Sequence, residues 1–332
     1  MNNFRVKIGL ATVFCLITGF LSIWLGAAEL SAGDVLRGLL SGPEAGVEGA
    51  VVWYVRLPRT AGCLLAGAAL AVSGCVIQAV LGNRLASPGI IGVNAGAGLA
   101  VTVLCALGIF SGWAMAAGSF LGALCAALVV MLGARQTGAS RSTVILGGVA
   151  VNSILNALSQ AVSALVPEAA SLSADFRVGG FASVPMTRLA PAAVLIVGSL
   201  VILFTLHNEI DVLTLGEETA QALGMDVKKI RVLLLALAAL LAGASVSFAG
   251  LLGFVGLVVP HGARFLAGSR PRQWLPMSAL LGAGLVTVCD LTGRLIFAPQ
   301  ELSAGIVMAL IGGPFFLGLL MHRKGGRHAA AV

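Results

Sequence analysis

Apolar runs of membrane-spanning length follow one another along almost the whole chain, with short polar connections between them. A helix needs about 20 apolar residues to cross the hydrocarbon core of a bilayer, and the sequence contains ten such runs. Of its 332 residues, 58% are hydrophobic and 10% are charged, whereas soluble domains carry roughly 25% charged residues. The sequence therefore predicts an all-α, polytopic membrane protein with about ten transmembrane helices. The predicted spans lie near residues 8–28, 60–81, 89–108, 113–133, 142–165, 190–206, 231–250, 252–267, 275–297 and 303–321.

Two of these spans differ from an ordinary transmembrane helix. The first follows Arg5 and Lys7, as a signal peptide would, but its apolar run exceeds the usual length of about 7–15 residues, so we expect it to be retained. The eighth is short and contains Pro260, His261 and Arg264. We interpret it as a broken or partly buried helix, which a bundle tolerates where protein covers the freed backbone groups.

Positive charge is distributed unevenly over the connections. If the N-terminus is cytoplasmic, fourteen of the twenty Lys and Arg residues fall on the inside and six on the outside. Cytoplasmic loops carry an excess of Lys and Arg, so we expect a multi-pass protein of the cell membrane with both termini in the cytoplasm. The net charge of +7 is then a topology signal, and we expect no nucleic-acid partner. The whole chain, 1–332, is interpreted as one transmembrane domain, and 207–230 is its longest inside connection.

Two internal patterns indicate how the helices are arranged. LLAGAALAVSG (64–74) resembles LLAGASVSFAG (240–250), and the two stretches lie in spans that cross the membrane in opposite directions. Inverted repeats of this kind are common in transporters. GVNAG (92–96) and GSFLG (118–122) have the small-xxx-small spacing that lets helices approach closely.

The sequence offers no catalytic or nucleotide-binding motif. It contains no GxxxxGK[ST], HExxH or CxxC, so we predict that this chain is not an enzyme and has no cofactor or metal site. Its six cysteines fall inside predicted spans and are interpreted as packing residues. Asp290 and Arg294 are four residues apart on one helix face and could pair, but no chain of ionisable groups resembles an ion-coupling relay. The chain therefore either conducts passively or depends on another subunit for energy.

Three stretches of the chain resemble one family of membrane proteins, the permeases of type II bacterial ABC importers for iron-siderophores, haem and cobalamin. They are VRLPRTAGCLLAGAALAVSGCVIQAVLGNRLASPGIIGVNAGAG (55–98), GLLGFVGLVVPHGARFLAG (250–268) and PQELSAGIVMALIGGPFFLGLL (299–320), and the similarity runs over roughly residues 29–322. The resemblance implies an inverted-repeat permease fold of ten helices. It also implies a homodimer or a paired permease around a central path, two cytoplasmic ATPases and an extracytoplasmic binding protein.

The chain departs from the family pattern at three positions. Arg84 and Leu251 each stand where the family usually has proline, and Phe176 lies near a position where tryptophan is common. Arg84 adds a cytoplasmic charge and leaves the expected fold intact. The difference at Phe176 bears on the substrate path.

The polar stretch LTLGEETAQALGMDVKKIR (213–231) lies on the inside, between two apolar spans. Its residues alone fit two alternatives equally well, an ordinary solvated loop or a short capped helix with acidic residues in its first turn. In the second alternative a glycine ends the helix and Asp226 caps the next one. The resemblance favours this alternative, because the family places two short helices here in a cleft of the ATPase. The residues expected to couple to the ATPase are Gly216, Glu217, Glu218, Ala220, Leu223 and Gly224.

Three arginines mark the outer ends of spans. Arg56, Arg59 and Arg294 match family positions, which suggests docking on carboxylates of the binding protein, a task that suits arginine. The alternative for each is interfacial anchoring by snorkelling.

Four residues on the inside, Asn83, Leu85, Ser142 and Thr143, fall where the family narrows its exit, and we expect them to form a cytoplasmic gate. From their chemistry alone, helix capping and turn formation is the alternative. His261, beside Pro260, is interpreted as a structural histidine because no second metal ligand is apparent.

These observations give one leading hypothesis and its rivals. The chain is interpreted as the permease subunit of an ATP-driven importer for a metal chelate, most simply a ferric siderophore, with haem or cobalamin as the alternative cargo. From other classes, the inverted repeat suggests an ion-coupled secondary transporter, and a structural membrane subunit without a path is a third alternative. The expected partners are an ABC ATPase dimer, a substrate-binding protein, a second permease copy and the lipid bilayer.

Overall fold

The described part of the chain is helical throughout. A computed structural model describes residues 2–26, 28, 30–44, 46–136, 141–296 and 298–328, and no β-strand occurs among them. In chain order the helices are α1 (Asn2–Trp24), α2 (Ala32–Ser41), α3 (Val47–Val51), α4 (Leu57–Leu81), α5 (Val93–Ala106), α6 (Gly112–Gln136), α7 (Arg141–Leu165), α8 (Pro167–Leu172), α9 (Ala174–Val178), α10 (Met186–Thr205), α11 (His207–Thr214), α12 (Glu217–Ala222), α13 (Val227–Ala249), α14 (Val255–Ala267), α15 (Pro271–Ile296) and α16 (Ala304–His328), with a π-turn at Val52–Arg56 and a 3-10 turn at Pro88–Ile91.

The predicted spans correspond one by one to helical segments of this structure. Within the described residues, seven segments are long and apolar enough to cross a membrane: α1, the run from α3 to α4, α6, α7, α10, α13 and α15. Three shorter apolar helices, α5, α14 and α16, match the remaining predicted spans. The all-α membrane fold is thereby confirmed.

The second span begins earlier than predicted. α3, the π-turn and α4 form one continuous segment, Val47–Leu81, and 83% of its most apolar stretch is buried. The sequence prediction began at residue 60 because Arg56 and Arg59 interrupt the apolar run. Both side chains are buried in the bundle and neutralised there, so they do not end the helix.

α14 is short and partly buried, as predicted, but it is not broken at Pro260. Proline has no N–H to donate to the carbonyl four residues earlier, which here belongs to Gly256. The side-chain amide of Gln78 in α4 donates to that oxygen at 3.3 Å, so a neighbouring helix satisfies the freed acceptor. Nδ1 of His261 lies 2.8 Å from the carbonyl oxygen of Leu257, which fits the structural role expected for this histidine.

α4 lies at the centre of the bundle and packs antiparallel to α15. Contacts between the two helices run in opposite directions along the chain, from Arg59 with Asp290 at one end to Cys75 with Ser278 at the other. Helix pairs that cross a membrane in opposite directions have this geometry.

Glycines allow the closest helix contacts. A Cβ on Gly67 of α4 would lie 2.2 Å from the carbonyl oxygen of Gly282 in α15, well inside van der Waals contact. A Cβ on Gly96 of α5 would lie 2.1 Å from the carbonyl oxygen of Gly122 in α6. The close approach predicted from GVNAG and GSFLG is therefore confirmed, since these two glycines belong to those motifs.

The two helices that carry the similar stretches, α4 and α13, pack against each other. Oγ of Ser73 in α4 donates to the carbonyl oxygen of Ala238 in α13 at 2.7 Å, and Gly62 of α4 faces Phe248 of α13. These contacts also run antiparallel, as expected of an inverted repeat.

Three long helices are mostly uncovered by the rest of the chain. Buried residues make up 22% of the most apolar stretch of α1, 28% of that of α10 and 17% of that of α7. α1 and α10 expose apolar side chains, as lipid-facing helices do. α7 differs because it also exposes the polar residues Ser153, Asn156 and Gln160.

Candidate functional site

A cluster of buried charges joins α4, α15 and the segment before α16; we call Arg56, Arg59, Asp290, Arg294 and Glu301 the arginine cluster. Asp290 is fully buried and accepts hydrogen bonds from Nε and Nη2 of Arg59 at 2.9–3.1 Å. Nη1 of Arg59 donates to Glu301 at 2.7 Å. Nε of Arg294 lies 3.0 Å from Oδ2 of Asp290, so the pairing predicted for these two residues is confirmed.

The other arginine contacts reach the end of α1. Arg56 donates three hydrogen bonds of 2.8–2.9 Å to backbone carbonyls at or just beyond this helix end. Arg294 donates to Oγ of Ser22 at 2.8 Å and to the carbonyl oxygen of Leu25 at 3.2 Å. The last carbonyls of a helix lack intrahelical donors and carry partial negative charge. The end of α1 therefore compensates positive charge that the two carboxylates leave over.

The burial of the three arginines corrects one part of the sequence interpretation. Arg56, Arg59 and Arg294 are 3%, 6% and 2% exposed, whereas docking on a partner was expected to use guanidinium groups at the surface. Snorkelling also fails to describe them, because their hydrogen bonds go to protein groups. Their part in docking stays a prediction. Sequence reasoning missed Glu301, whose side chain is 29% exposed; its only signal was a carboxylate before an apolar helix.

The inside connection 207–230 contains the two short helices that the resemblance implies, α11 and α12; we call residues 207–224 the inner segment. Gly216 precedes α12 with φ of +115°, a backbone conformation that favours glycine. Glu217 and Glu218 occupy the first turn of α12, as predicted. Glu217 also forms an ion pair of 2.9 Å with the buried Arg231 of α13, which ties the inner segment to the bundle.

Gly224 ends α12 as predicted. Its φ is +83°, and its N–H donates to the carbonyl oxygen of Gln221 at 2.9 Å. The N–H of Met225 donates to the carbonyl oxygen of Ala220 at 3.0 Å, so the helix closes with a Schellman motif. The shape of this helix end therefore depends on a residue, Gly224, whose backbone is in the left-handed conformation.

Asp226 caps α13, also as predicted. Its Oδ1 accepts the N–H of Lys229 at 3.1 Å, and its Oδ2 pairs with the ammonium of the same lysine at 2.9 Å. The hydrogen bonds from Lys229 hold the pKa of the Asp226 carboxyl below its usual value. The carboxylate therefore remains charged, and the cap intact, throughout the neutral range.

Ala220 and Leu223 do not form one apolar face. Ala220 is fully buried against the bundle, whereas Leu223 is 64% exposed. Leu223 is the C-cap residue, where the chain is already turning toward Gly224, so helical spacing no longer places it beside Ala220. Leu215, which sequence reasoning did not single out, is 63% exposed on the same segment. The inner segment therefore presents two leucines to its surroundings.

The residues expected to form the gate lie at helix ends. Asn83 follows α4, and its Oδ1 accepts the N–H of Leu85 at 2.9 Å, which is the turn-forming role stated as the alternative. Ser142 is exposed and Thr143 half-buried in the first turn of α7. Their role as a gate stays a prediction.

A polar cavity of about 350 Å³ lies between α5, α7 and the segment that carries α9; we call it the Arg177 cavity. Nη2 of Arg177 donates to Oγ1 of Thr102 at 2.9 Å and also to Oγ of Ser159. Sequence reasoning counted Arg177 only in the charge balance. The available signal was polar residues spaced by four and then three positions in an otherwise apolar span. The side chains lining the cavity include Asn94, Leu99, Asn152, Asn156, Ser159, Arg177 and Leu251.

Two departures from the family pattern meet beside this cavity. The backbone N–H of Leu251 donates to the carbonyl oxygen of Phe176 at 2.9 Å, a bond that the proline usual in the family cannot make. The N–H of Gly180 donates to the carbonyl oxygen of Ala249 at 2.8 Å. Arg177 lies between Phe176 and Gly180 in the chain. These two hydrogen bonds therefore hold the backbone on either side of Arg177 against the end of α13.

Comparison with known proteins places this architecture in context. Residues 14–322 match the model of the FecCD transport family. The chain is 36% identical over 309 residues to the iron-uptake system permease protein FeuB of Bacillus subtilis, covering 92% of each chain. It is 34% identical to the Fe(3+) dicitrate transport system permease protein FecC of Escherichia coli, covering 95% of this chain and 96% of that one. It is 36% identical to the vitamin B12 import system permease protein BtuC of Shigella sonnei, covering 95% and 94%.

Solved structures have the same overall architecture. A structure described as the inward-facing conformation of a metal-chelate type ABC transporter superposes with a TM-score of 0.85 at 29% identity, covering 96% of this chain and 99% of that chain. PsaBC from Streptococcus pneumoniae, in complex with Fab, superposes with a TM-score of 0.59 at 19% identity, covering 78% and 88%. This second similarity concerns the fold alone.

Proposed function

The chain belongs to the FecCD transport family, and from this premise we propose that it is the permease subunit of an ATP-driven importer whose cargo is a metal chelate. The narrower proposal is that the cargo is a ferric siderophore. The relatives named for iron uptake and Fe(3+) dicitrate transport support iron, and the relative named for vitamin B12 keeps cobalamin as the alternative. In this proposal the subunit makes no covalent change, and a separate chain hydrolyses ATP.

The observation that carries the proposal is the inner segment with its two exposed leucines. In the topology that the charge bias favours, this segment is cytoplasmic and both termini lie on the same side. A leucine that is more than half exposed on a short, well-capped helix is suited to insertion into a partner's apolar cleft. We assign Leu215 and Leu223 to the contact with the ATPase, with Gly216, Glu217, Glu218, Ala220 and Gly224 shaping the segment.

The contacts of the inner segment provide a route for force into the bundle. Only four residues separate the end of α12 from the start of α13, and the ion pair of Glu217 with Arg231 bridges the same two helices. α13 packs directly on the central α4. Movement of α12 by the ATPase would therefore reach the centre of the molecule through two rigid helices.

α7 is the element we assign to the translocation path. It is little covered by its own chain, and its exposed polar side chains would be costly against lipid. A water-filled path completed by a second copy of the subunit removes that cost, which supports a homodimeric permease. The proposed gate of Asn83, Leu85, Ser142 and Thr143 lies at the inner end of α7 and of α4.

The arginine cluster supports docking of a binding protein through its charge. Its three guanidinium groups face only two carboxylates, and the end of α1, with its partial negative charge, offsets only part of the remainder, so a net positive charge stays near this end of the bundle. Such an excess attracts an acidic partner at long range. We propose that a partner's carboxylate competes with Glu301 for Arg59, because this ion pair is the most exposed one in the cluster.

The proposal is tested by ATP hydrolysis in the reconstituted complex. The permease, its ATPase and the loaded binding protein are assembled in proteoliposomes, and stimulation by the binding protein is measured. Leu223→Asp places a charge where we expect an apolar, desolvated contact, at a cost of about 1–3 kcal/mol or more. We expect stimulation and ATP-dependent uptake to be lost, while binding of the loaded binding protein is retained.

Gln221→Asp is the matched control, since it adds the same charge to an exposed neighbour on α12 without removing an apolar side chain. We expect this variant to retain stimulation. Normal stimulation in Leu223→Asp would show that the inner segment is not the coupling contact. Uptake driven by an ion gradient without ATP would instead favour a secondary transporter.

A further inference from the structure

We propose that the Arg177 cavity is a cargo-binding subsite that recognises negatively charged, oxygen-rich ferric chelates. This inference rests on the proposed function and narrows its cargo to the anionic chelates, at a site formed by Arg177, Asn94, Asn152, Asn156 and Ser159. The observations that support it are the position of the cavity, the unpaired charge in it and the rigidity of the segment that carries this charge.

The cavity lies at about the middle depth of the membrane. The apolar segment of α7 runs from Ser142 to Leu165, and a helix rises about 1.5 Å per residue. Asn152 and Asn156 therefore lie about 15–21 Å from the start of a segment about 35 Å long. Arg177 contacts Ser159, about 26 Å from that start, so its guanidinium lies nearer the α9 end of the cavity, where we expect a charged side chain to line a water-filled space.

The charge of Arg177 is not neutralised by the protein. Among the described residues no carboxylate forms an ion pair with it, in contrast to Arg59 and Arg294. Nη2 is engaged by the hydroxyl groups of Thr102 and Ser159, and within the described residues neither Nε nor Nη1 donates a hydrogen bond. The guanidinium therefore keeps donors and a full positive charge for a ligand.

The position of Arg177 is fixed before any ligand arrives. The two hydroxyl contacts hold one edge of the guanidinium, and the bonds from Leu251 to Phe176 and from Gly180 to Ala249 hold the backbone on both sides. A preorganised donor costs little ordering entropy on binding. A purely structural arginine would satisfy the same geometry, so the test must separate charge recognition from support of the fold.

The chemistry of the lining selects the ligand class. The guanidinium donors that the two hydroxyl groups do not use, Nε and Nη1, can bind oxyanions such as carboxylates and catecholates through charge-assisted hydrogen bonds, and the three asparagine amides add donors and acceptors for further oxygens. A positive charge in the cavity also discriminates against cationic cargo by repulsion and against neutral cargo by incomplete pairing. The cavity volume of about 350 Å³ is at the lower end of ligand sites, so one arm or face of a chelate would occupy it.

The test is equilibrium binding to the full permease–ATPase complex in nanodiscs, without binding protein. Two ⁵⁵Fe-labelled probes are compared, the anionic ferric citrate complex and an uncharged ferric trihydroxamate. We expect the wild type to prefer the anionic probe by about tenfold or more, because only this probe forms charge-assisted hydrogen bonds with Arg177. Arg177→Gln should abolish the preference, and Arg177→Lys, which keeps the charge but loses the planar set of donors, should retain part of it.

Two further variants distinguish recognition from structure. Asn156→Asp adds a negative charge at an exposed lining residue without touching Arg177, and we expect it to weaken only the anionic probe. Arg188→Gln removes a half-buried arginine outside the cavity and should change neither affinity. A wild type that binds neither probe below about 1 mM, or that binds both equally, would overturn the subsite. So would an unchanged preference in both Arg177→Gln and Asn156→Asp.

This result is independent of the coupling experiment. Absence of a charge preference in the wild type together with normal ATPase coupling would refute the subsite and leave the proposed function standing. Preference for the anionic probe together with ATP-independent uptake would refute the proposed function and leave the subsite standing.

Discussion

At the scale of single residues, Asp290 holds the most consequential position in the chain. It is fully buried and contacts two arginines from two different helices. Removing one partner of a buried ion pair leaves uncompensated charge, which is far more damaging than losing an exposed pair. The stability of this end of the bundle therefore depends on one carboxylate.

Asp290→Asn is expected to destabilise the protein by about 3–5 kcal/mol, because Arg294 would remain buried without a carboxylate partner and Arg59 would keep only the more exposed Glu301. Thermal unfolding of the purified protein in detergent measures the loss. Arg37→Gln is the control, since the side chain of Arg37 is 77% exposed in its ion pair with Asp34 and this pair should contribute less than about 1 kcal/mol. Equal shifts in the two variants would contradict this assignment.

Local chemistry predicted some of these residues well and others not at all. The pairing of Asp290 with Arg294 follows from helical spacing, and the caps at Gly224 and Asp226 follow from residue type. The partner of Arg59 could not be predicted from local chemistry, because Asp290 lies 231 residues further along the chain. Only the packing of α4 on α15 brings the two residues together. The Arg177 cavity could not be predicted for the same reason, because the residues that line it are distant in the sequence and belong to separate helices.

At the scale of helices, the glycine contacts divide the molecule into tightly and loosely packed parts. α4 and α15 approach each other through Gly67 and Gly282 with no room for a side chain. By contrast, a Cβ on Gly198 of α10 would have no atom within 4 Å. Spacing in the sequence predicted close approach, but it did not identify which helices meet, because several glycine-rich faces are available.

Gly67→Ala is expected to lower the stability of the bundle by about 1–3 kcal/mol, since the added carbon would overlap the carbonyl of Gly282. Gly198→Ala should be neutral or stabilising by up to about 1 kcal/mol, because alanine is the better helix former and space is open. Heating followed by size-exclusion chromatography compares the two. A loss in Gly198→Ala as large as in Gly67→Ala would contradict the packing described.

At the scale of the whole molecule, charge asymmetry and helix number together determine the expected topology. An even number of crossings returns the C-terminus to the side of the N-terminus, and the Lys and Arg bias puts that side in the cytoplasm. Hydropathy predicted ten spans, and the described residues contain seven helices long enough to cross a membrane and three shorter apolar helices. It could not predict that the buried arginines lie within the second span, since burial depends on partners that hydropathy ignores.

Single cysteines placed in a cysteine-free background test the topology. Gln221 of α12 and Leu40 of α2 are both exposed, and we expect a membrane-impermeant thiol reagent to reach position 221 only from the cytoplasm and position 40 only from outside. The neighbouring Ala220 is unsuitable because it is fully buried. Labelling of both positions from the same side would rule out the proposed arrangement.

The arginine cluster also has a consequence for biogenesis. The carbonyl groups that accept hydrogen bonds from Arg56 lie at or just beyond the end of α1, so they are synthesised before Arg56. Asp290, the partner of Arg59, is synthesised 231 residues after it. At a synthesis rate of about 5–20 residues per second, the ribosome needs about 12–46 s to supply that carboxylate. During this interval the Arg59 guanidinium of α4 lacks the carboxylate of Asp290. We therefore expect α1 and α4 to associate first, through Arg56. We expect α4 to reach its final position in the bilayer only after α15 has left the ribosome.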